Sequence, residues 1–582
     1  MKAQKLFCFG AILLLAILPI MAQTLAQQNP AGDKHRHHHY KLIDLGTFGG
    51  PQSYVSIPPS SYAPVLNNRG DLSGWADTPN KDPYPDFCFN EDCYTSHTFV
   101  WRAGQMTDLG TLPSGASSAS AWISSRGLIA GASENGQIDP LISEPEIRAV
   151  LWQEGGITDL GTLEGGYESA ANAVNNQGVV VGWSTNTVAD PFPGVDGGAS
   201  VGLGYQTRAF LSQNGAGQDL GTLRTGTDAT VYLVNENGQA AGDSFTDQTL
   251  NTTATCGTNV PTQDPFFWDK EKGMIDIGTL GGVCGFASGM NSRGQVVGLS
   301  DLAGDQKWHA YVWNRHGKIQ DLGTFGGSNS SAIAVNDAGH VIGWADLLGD
   351  KSLHAFLWRH GKKGDLGTLH KDPCSQSFGL NSHDQVVGIS VPGCDFENQS
   401  AYSAFLWQDG EGIVDLNALV SHGSDLHLAM PETINDRGEI AGVGFLANGY
   451  EHAFVLIPCD QNHAGVEGCD YSLANSVAAI PESAASVMHE LTTTAPRNAR
   501  GLSSLTHRRE IHLPSSPVSD EFDSFQGNPN WEERLVPEKH AMQELDSFKG
   551  SRCLRRGSQC LPWIKCCPGL TCVPASTRAY CE

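Results

Sequence analysis

The chain of 582 residues is long enough for several domains at about 150 residues each. With 68 Gly and only 17% charged residues, it suits many short strands and turns and excludes a coiled coil. A formal charge of −26 repels phosphate backbones and argues against nucleic-acid binding.

Residues 1–26 have the layout of a secretory signal. Lys2 and Lys5 precede an apolar run at 6–21, and Thr24-Leu25-Ala26 offers small residues for cleavage. The run is short for a bilayer, and no later segment reaches about 18 apolar residues, so no membrane span is expected. A retained N-terminal anchor is the alternative. Residues 27–39 carry His35, His37, His38 and His39. They read as a solvated linker, with loose Zn²⁺, Ni²⁺ or Cu²⁺ binding as the other reading. Fifteen cysteines less Cys8 of the leader leave an even number, which suits an oxidised, secreted protein.

From residue 40 onward the chain repeats. The string D-[LI]-G-T begins at Asp44, Asp108, Asp159, Asp219, Asp276, Asp321 and Asp365, and a degenerate copy begins at Asp415. A second string, N-x-x-G-x-[VILA]-x-G, reads NNQGVVVG from Asn175 and NDRGEIAG from Asn435. A third reads HAYVWNRHG from His309, HAFLWRHG from His354 and SAFLWQDG from Ser403. One unit is then four short antiparallel strands. Strand a precedes the Asn, N-x-x-G turns it back, strand b carries VVG, strand c carries AFLW, and strand d ends in DLG. Four such strands in 44 to 64 residues is the size of a propeller blade.

The chain ends sharpen this. The last unit stops after its strand c at Pro458, while Tyr40 begins a strand d with no partners before it. The N-terminal strand can complete the last blade and remove two sheet edges. The expected fold is therefore all-β: a propeller of eight four-stranded blades over 40–458, closed by its N-terminal strand. A ring of seven with one unit displaced and a β-solenoid are the alternatives.

These strings resemble the extracellular HAF-repeat family, named for the His-Ala-Phe seen at His354-Ala355-Phe356 and His452-Ala453-Phe454, with variants at His309 and His97. The resemblance covers roughly 40–458 and implies a secreted, bacterial-type repeat protein. It brings no catalytic residues. Departures are local, with Asp384 at a turn-Gly position and Ser212 at a Trp position.

Residues that recur in every unit read as structural. Trp101, Trp152, Trp268, Trp313, Trp358 and Trp407 should pack between blades rather than stack on sugars. The Asp of each DLG should cap a turn. His309, His354 and His452 should be partly buried neighbours of that layer. Variation lies elsewhere. From the last Gly of strand b to the alanine position of strand c the separations are 24, 18, 27, 23, 12, 12, 16 and 11. Insertions thus concentrate in the b–c connection, which shares a face with the d–a connection and marks the expected binding face.

The cysteines fit that placement: Cys256 with Cys284 and Cys374 with Cys394 would bridge b–c to d–a segments, and Cys88–Cys93 would staple the first loop. The same face is rich in acids: Asp86, Glu91, Asp92, Glu134, Asp139, Asp190, Asp196, Asp243, Asp301, Asp305, Asp346 and Asp350. Asp301–Asp305 and Asp346–Asp350 share the string Asp-Leu-x-Gly-Asp. These four are the metal-ligand candidates, for Ca²⁺, against a solvated acidic loop and no cofactor. A glycosidase-like acid pair could sit on the face, but nothing in the sequence singles out two acids.

Residues 459–552 begin with a Cys459–Cys469 clasp and continue as a Ser-, Pro- and charge-rich linker with a lone Trp531. Residues 553–582 hold Cys553, Cys560, Cys566, Cys567, Cys572 and Cys581. At that size disulfides, not an apolar core, must hold the module. Sequence alone allows 15 pairings of six cysteines. The spacing, with its adjacent pair in CCPGLTC, resembles an inhibitor cystine knot. That resemblance implies Cys553–Cys567, Cys560–Cys572 and Cys566–Cys581. The module is basic, through Arg555, Arg556, Lys565 and Arg578. Arg508-Arg509 and Lys549–Arg552 precede it, so proteolytic release is a further expectation.

The reading is a secreted, monomeric, non-enzymatic binding or adhesion protein that recognises an extracellular polymer or protein through the propeller loops. The alternatives are an extracellular polysaccharide-active enzyme on that face, and a knottin acting as toxin-like or protease-inhibitor effector.

Overall fold

The computed structural model describes residues 39–469, apart from 56–63, 85–87, 89, 91, 164, 193–194, 252–255, 257–259, 316, 397, 421–423 and 468, together with 572–575 and 578–581. The leader, His35–His38, residues 470–552 with Trp531, and Cys553, Cys560, Cys566 and Cys567 lie outside the described residues. So does the pairing of the C-terminal cysteines. Of that module, Cys572–Ala575 pairs antiparallel with Arg578–Cys581.

Residues 40–458 form a β-propeller built from eight four-stranded antiparallel meanders. Unit six shows the pattern. Gly326–Val335, Val341–Leu347, Leu353–Arg359 and Lys362–Gly367 pair in that order as strands a to d. Units four and five are joined by a single parallel pairing of Gln263 with Cys284. In unit eight the fourth strand comes from the other end of the chain. Tyr40–Asp44 pairs with Glu451–Pro458, Tyr40 opposite Pro458 and Asp44 opposite Phe454. Among the described residues no helix is long and apolar enough to cross a membrane.

The second repeated string explains how strands a and b are joined. Its first Gly takes positive φ, +83° at Gly339 and +78° at Gly438, where a side chain is strained. In unit seven Asp384 fills this place at φ +62°. The Asn works through its side chain, which closes the turn and reaches the next unit. Asn336 Oδ1 accepts from the N–H groups of Ala338 (3.1 Å) and His340 (3.0 Å), while Asn336 Nδ2 donates to Asn381 O (3.2 Å). The same link runs from Asn175 to Asn235, Asn235 to Asn291, Asn291 to Asn336 and Asn381 to Asn435. Asn435 donates to Asn67 O (3.0 Å), and Asn67 to Ser124 O (3.0 Å), so the chain of links passes through the closure. Ser124 stands where Asn is expected in unit two, and there Arg126 N donates instead to Asn176 Oδ1 (2.8 Å).

The string's last Gly is required by close approach. Strand a carries a bulge opposite it, between Ala332 and Ala334 in unit six and at the matching place in six other units. A Cβ on Gly343 would lie 1.9 Å from Ser331 O. The bulge and the glycine are one device.

Side chains of the third string fill the space between units. Phe267 of unit four meets Trp313 of unit five with ring centroids 5.3 Å apart. Trp152 packs with Leu112 and Ile123, and Trp268 with Val181 and Leu211 of the preceding unit. Trp358 and Trp407 pack against the same inter-unit clusters. The alanine N–H of strand c donates to a serine on the next unit's strand a: Ala310 to Ser330, Ala355 to Ser375 and Ala453 to Ser53, at 2.9 to 3.0 Å.

Candidate binding face

Strands a and b meet on one face of the ring, and strands b and c on the other. Among the described residues four disulfides are present, with Cα separations of 5.1 Å for Cys88–Cys93, 6.0 Å for Cys256–Cys284, 5.2 Å for Cys374–Cys394 and 5.4 Å for Cys459–Cys469. The two long-range pairs tie a b–c connection to strand a, since Cys284 and Cys374 lie within Gly281–Met290 and Cys374–Leu380. The b–c and d–a segments therefore share the loop face.

Each DLG Asp caps its turn. Asp44, Asp108, Asp159, Asp219, Asp276, Asp321 and Asp365 accept from the N–H of the glycine two residues on, and Asp415 from Asn417. Four of them also pair with the histidine of strand c. His97 holds Asp108, His309 holds Asp321, His354 holds Asp365 and His452 holds Asp44, at 2.8 to 2.9 Å from Nδ1. Burial would raise these carboxyls, but the histidine and glycine hydrogen bonds outweigh it and hold them low.

The acids expected to form an exposed layer are mostly turned inward. Asp139, Glu134, Asp190, Asp243, Asp301 and Asp346 are buried. Glu134 accepts from Ala116 N (2.8 Å), Asp139 from Leu141 N (2.6 Å) and Asp190 from Phe192 N (2.8 Å). A short loop must satisfy its own N–H groups, and a carboxylate beneath it does so. Asp86 and Glu91 lie outside the described residues, as does the side chain of Asp196. Of the four metal-ligand candidates, Asp301 and Asp346 are buried, Asp305 is half-buried and Asp350 is exposed. Asp346 accepts from Asn329 N (3.0 Å), Asp350 from Ser328 N (2.6 Å) and Asp305 from Val283 N (2.8 Å). Gly282 and Gly327 lie so close to Asp301 and Asp346 that a Cβ on either would meet the acid's own Cβ at 2.4 and 2.5 Å. Among the described residues no three metal-ligating side chains gather.

Burial shifts the Asp190 and Asp346 carboxyls upward. Asp77 is pushed up to about 9, first by burial and then by the neighbouring Asp92 carboxylate. It accepts from Gln52 N (2.9 Å) and Asn90 Nδ2 (2.8 Å), and Gln52 Nε2 donates to Asp92 (2.9 Å). Burial likewise lifts Glu134 to about 7 and Glu432 to about 8. All three acids are buried.

The loops also expose apolar side chains. Among the described residues the large hydrophobic side chains open to solvent are Tyr84, Ile138, Leu141, Val188, Leu250, Leu348 and Tyr450. Every one lies in a b–c connection or at the loop end of strand b. Leu348 is 87% exposed, inside the Asp346–Asp350 string. Reading the loops for acids passed over them; an isolated Leu or Val in a polar loop was the available signal. One insertion behaves otherwise. In unit three the longest b–c segment folds back, so that Ala199 and Val201 are buried and Ala199 O accepts from Thr230 on strand a of unit four (3.1 Å).

No family model and no curated protein matches the chain. Among solved structures it is similar to a puromycin-hydrolysing peptidase of Mycobacterium tuberculosis, with a TM-score of 0.36 and 15% identity over 71% of this chain. The chain spans 61% of that protein's length. It is also similar to the β-propeller domain of the trilobed protease from Pyrococcus furiosus, with a TM-score of 0.34 and 10% identity over 63% of this chain and 97% of the other. At these scores neither neighbour bears on function, and the fold stands on its own strand order.

Proposed function

We propose that this is a secreted, non-enzymatic binding protein of the HAF-repeat type, which recognises an extracellular polymer or protein through its b–c loops. One observation carries the reading: the exposed large apolar side chains are confined to one connection of the repeat, on one face. Scattered apolar residues on a surface need no explanation, but confinement to one face does. The loops beneath are held by disulfides and buried carboxyls, which keep the apolar tips in place and lower the ordering cost of binding. Disulfides of this number suit an oxidising compartment.

The test is retention of the full mature chain on extracellular polysaccharides, cell walls and secreted proteins. The comparison is a Leu141→Ser, Val188→Ser, Leu348→Ser variant. Retention should fall at least tenfold in the variant with the melting temperature unchanged, since exposed positions contribute within about 0.5 kcal/mol to stability. Equal retention of both proteins would remove the loop face from the reading. Hydrolysis of a retained polymer would replace binding with catalysis.

A further inference from the structure

We propose that a pocket on the opposite face, between the a–b turns of units one and two, binds a sulfate or phosphate group. Arg69, Asp71, Arg102 and Arg126 line an open pocket of about 360 Å³. Arg69 and Arg126 lie in successive a–b turns, and Arg102 ends strand c of unit one. Asp71 is nearly buried, at 5% exposure of its side chain. Arg69 donates to it from Nη2 (2.6 Å) and Nε (3.1 Å), and Arg102 from Nε (2.8 Å) and Nη2 (3.1 Å). Both arginines spend the same edge on Asp71, which leaves Nη1 of each without a protein partner among the described residues. Their side chains are 50% and 56% exposed. Arg126 adds a third guanidinium, engaged only at 3.5 Å by Asn176 O.

The repeat itself shows that the ring does not need these charges. At the Asp71 position, units four, five and seven carry Gln239, Gln295 and Gln385. Each accepts from the ring asparagine of its own turn at 2.7 to 2.8 Å, the role Asp71 fills for Asn67. A neutral side chain therefore suffices. At the Arg102 position most other units carry Gln153, Gln213, Asn314 or Gln408. One arginine would balance Asp71; the second and third exceed the need. Gly127, at φ +81°, lies against both guanidinium groups, and a Cβ there would stand 2.5 Å from Arg69 Nη2 and 3.0 Å from Arg102 Nη2.

A pocket lined by three arginines and one carboxylate, in a chain of net charge −26, concentrates anions locally. Guanidinium forks suit oxyanions, and the volume is that of a small-ligand site rather than a bare ion. The group is therefore a sulfate or phosphate, free or as an ester on a sugar.

The experiment titrates the full mature chain with inorganic sulfate, inorganic phosphate, glucose 6-sulfate and glucose 6-phosphate, with glucose as control, by calorimetry at low salt. Saturable binding that weakens with salt is expected. Tighter binding of the esters assigns the group to a sugar, and equal binding assigns it to the free ion. Arg102→Gln with Arg126→Gln should weaken binding at least tenfold. Asp71→Asn keeps the shape and the acceptor for Asn67 Nδ2 but releases both arginines, so affinity should rise several-fold, which a purely structural ion pair would not produce. No saturable binding of any anion, or binding indifferent to both variants, overturns the proposal. Melting curves of each variant confirm that the comparison is between folded proteins.

Discussion

The two faces of the ring solve the same problem in opposite ways. On the a–b face, one short turn recurs with its asparagine and glycine, and each turn is tied to the next through side-chain amide to backbone carbonyl. On the b–c face the connections differ in length and are held from beneath by buried carboxyls, and from the side by disulfides. The first arrangement fixes neighbouring units relative to each other. The second holds each loop at its base, within its own unit at Cys374–Cys394 and to the next unit at Cys256–Cys284 and Ala199–Thr230, and leaves the tips free to vary. A repeat protein can change such tips without disturbing the turns that set its assembly.

The comparison breaks most visibly if the asparagine ring is cut at its closure. Asn435 Nδ2 donates to Asn67 O and Glu439 Oε2, and its Oδ1 accepts from the N–H groups of Arg437 and Glu439. Asn435→Ala leaves buried partners unsatisfied and should cost about 4 kcal/mol, at about 1 kcal/mol for each of the four lost hydrogen bonds. Chemical denaturation measures it. The same substitution at Asn448, an exposed b–c residue whose Oδ1 accepts from Tyr450 N (3.0 Å), should cost under about 1 kcal/mol. Equal costs would show that the ring is ornamental to stability.

The second difference is in pH response. Burial lifts Asp77 to about 9, Glu134 to about 7, Asp228 to about 7 and Glu432 to about 8. Above about pH 4 the unfolded chain ionises these groups while the folded chain keeps them protonated. The folded state then holds more protons, so its stability is complete below about pH 4 and falls as pH rises through 7 to 9. Asp44, Asp108, Asp321 and Asp365 act the other way, because their folded values are lowered and their contribution is lost as pH falls below about 4. The melting temperature should therefore peak in mildly acid solution and decline toward pH 9. Asp77→Asn, which keeps the shape without the charge, should flatten that decline by up to about 1.4 kcal/mol per pH unit. A melting temperature that rises from pH 5 to pH 8 contradicts the inward placement of the acids.

The regular face was legible in the sequence and the irregular one only in outline. Repeated strings located strands, turns, the closure by Tyr40–Asp44 and the inter-unit tryptophans, because recurrence filters out local accident. The role of Asn as a link between units escaped, since its partner is a backbone carbonyl some 45 to 60 residues away that carries no sequence mark. On the loop face the spacing found the cysteine pairs. Whether an acid points out or in depends on which N–H groups the loop leaves unsatisfied, as at Asp139 under Leu141, and composition does not report that. The pocket at Arg102 was passed over because its three arginines are far apart in sequence and converge only across two turns.

The smallest effect concerns the residues that gave the repeat its most visible signature. His354 Nδ1 lies 2.9 Å from Asp365, whose side chain is 43% exposed, and Asp365 already accepts from Gly367 N (2.8 Å). A half-exposed pair of this kind contributes about 0.2 to 1 kcal/mol. His354→Gln should therefore lower stability by less than about 1 kcal/mol at pH 7. Asp365→Ala removes the turn cap as well and should cost about 1 kcal/mol more than the histidine change. If the two substitutions cost the same, the aspartate holds the histidine and the turn needs neither. If the histidine costs more, the His-Ala-Phe signature marks a contact on the outer rim of the loop face rather than a brace for strand d.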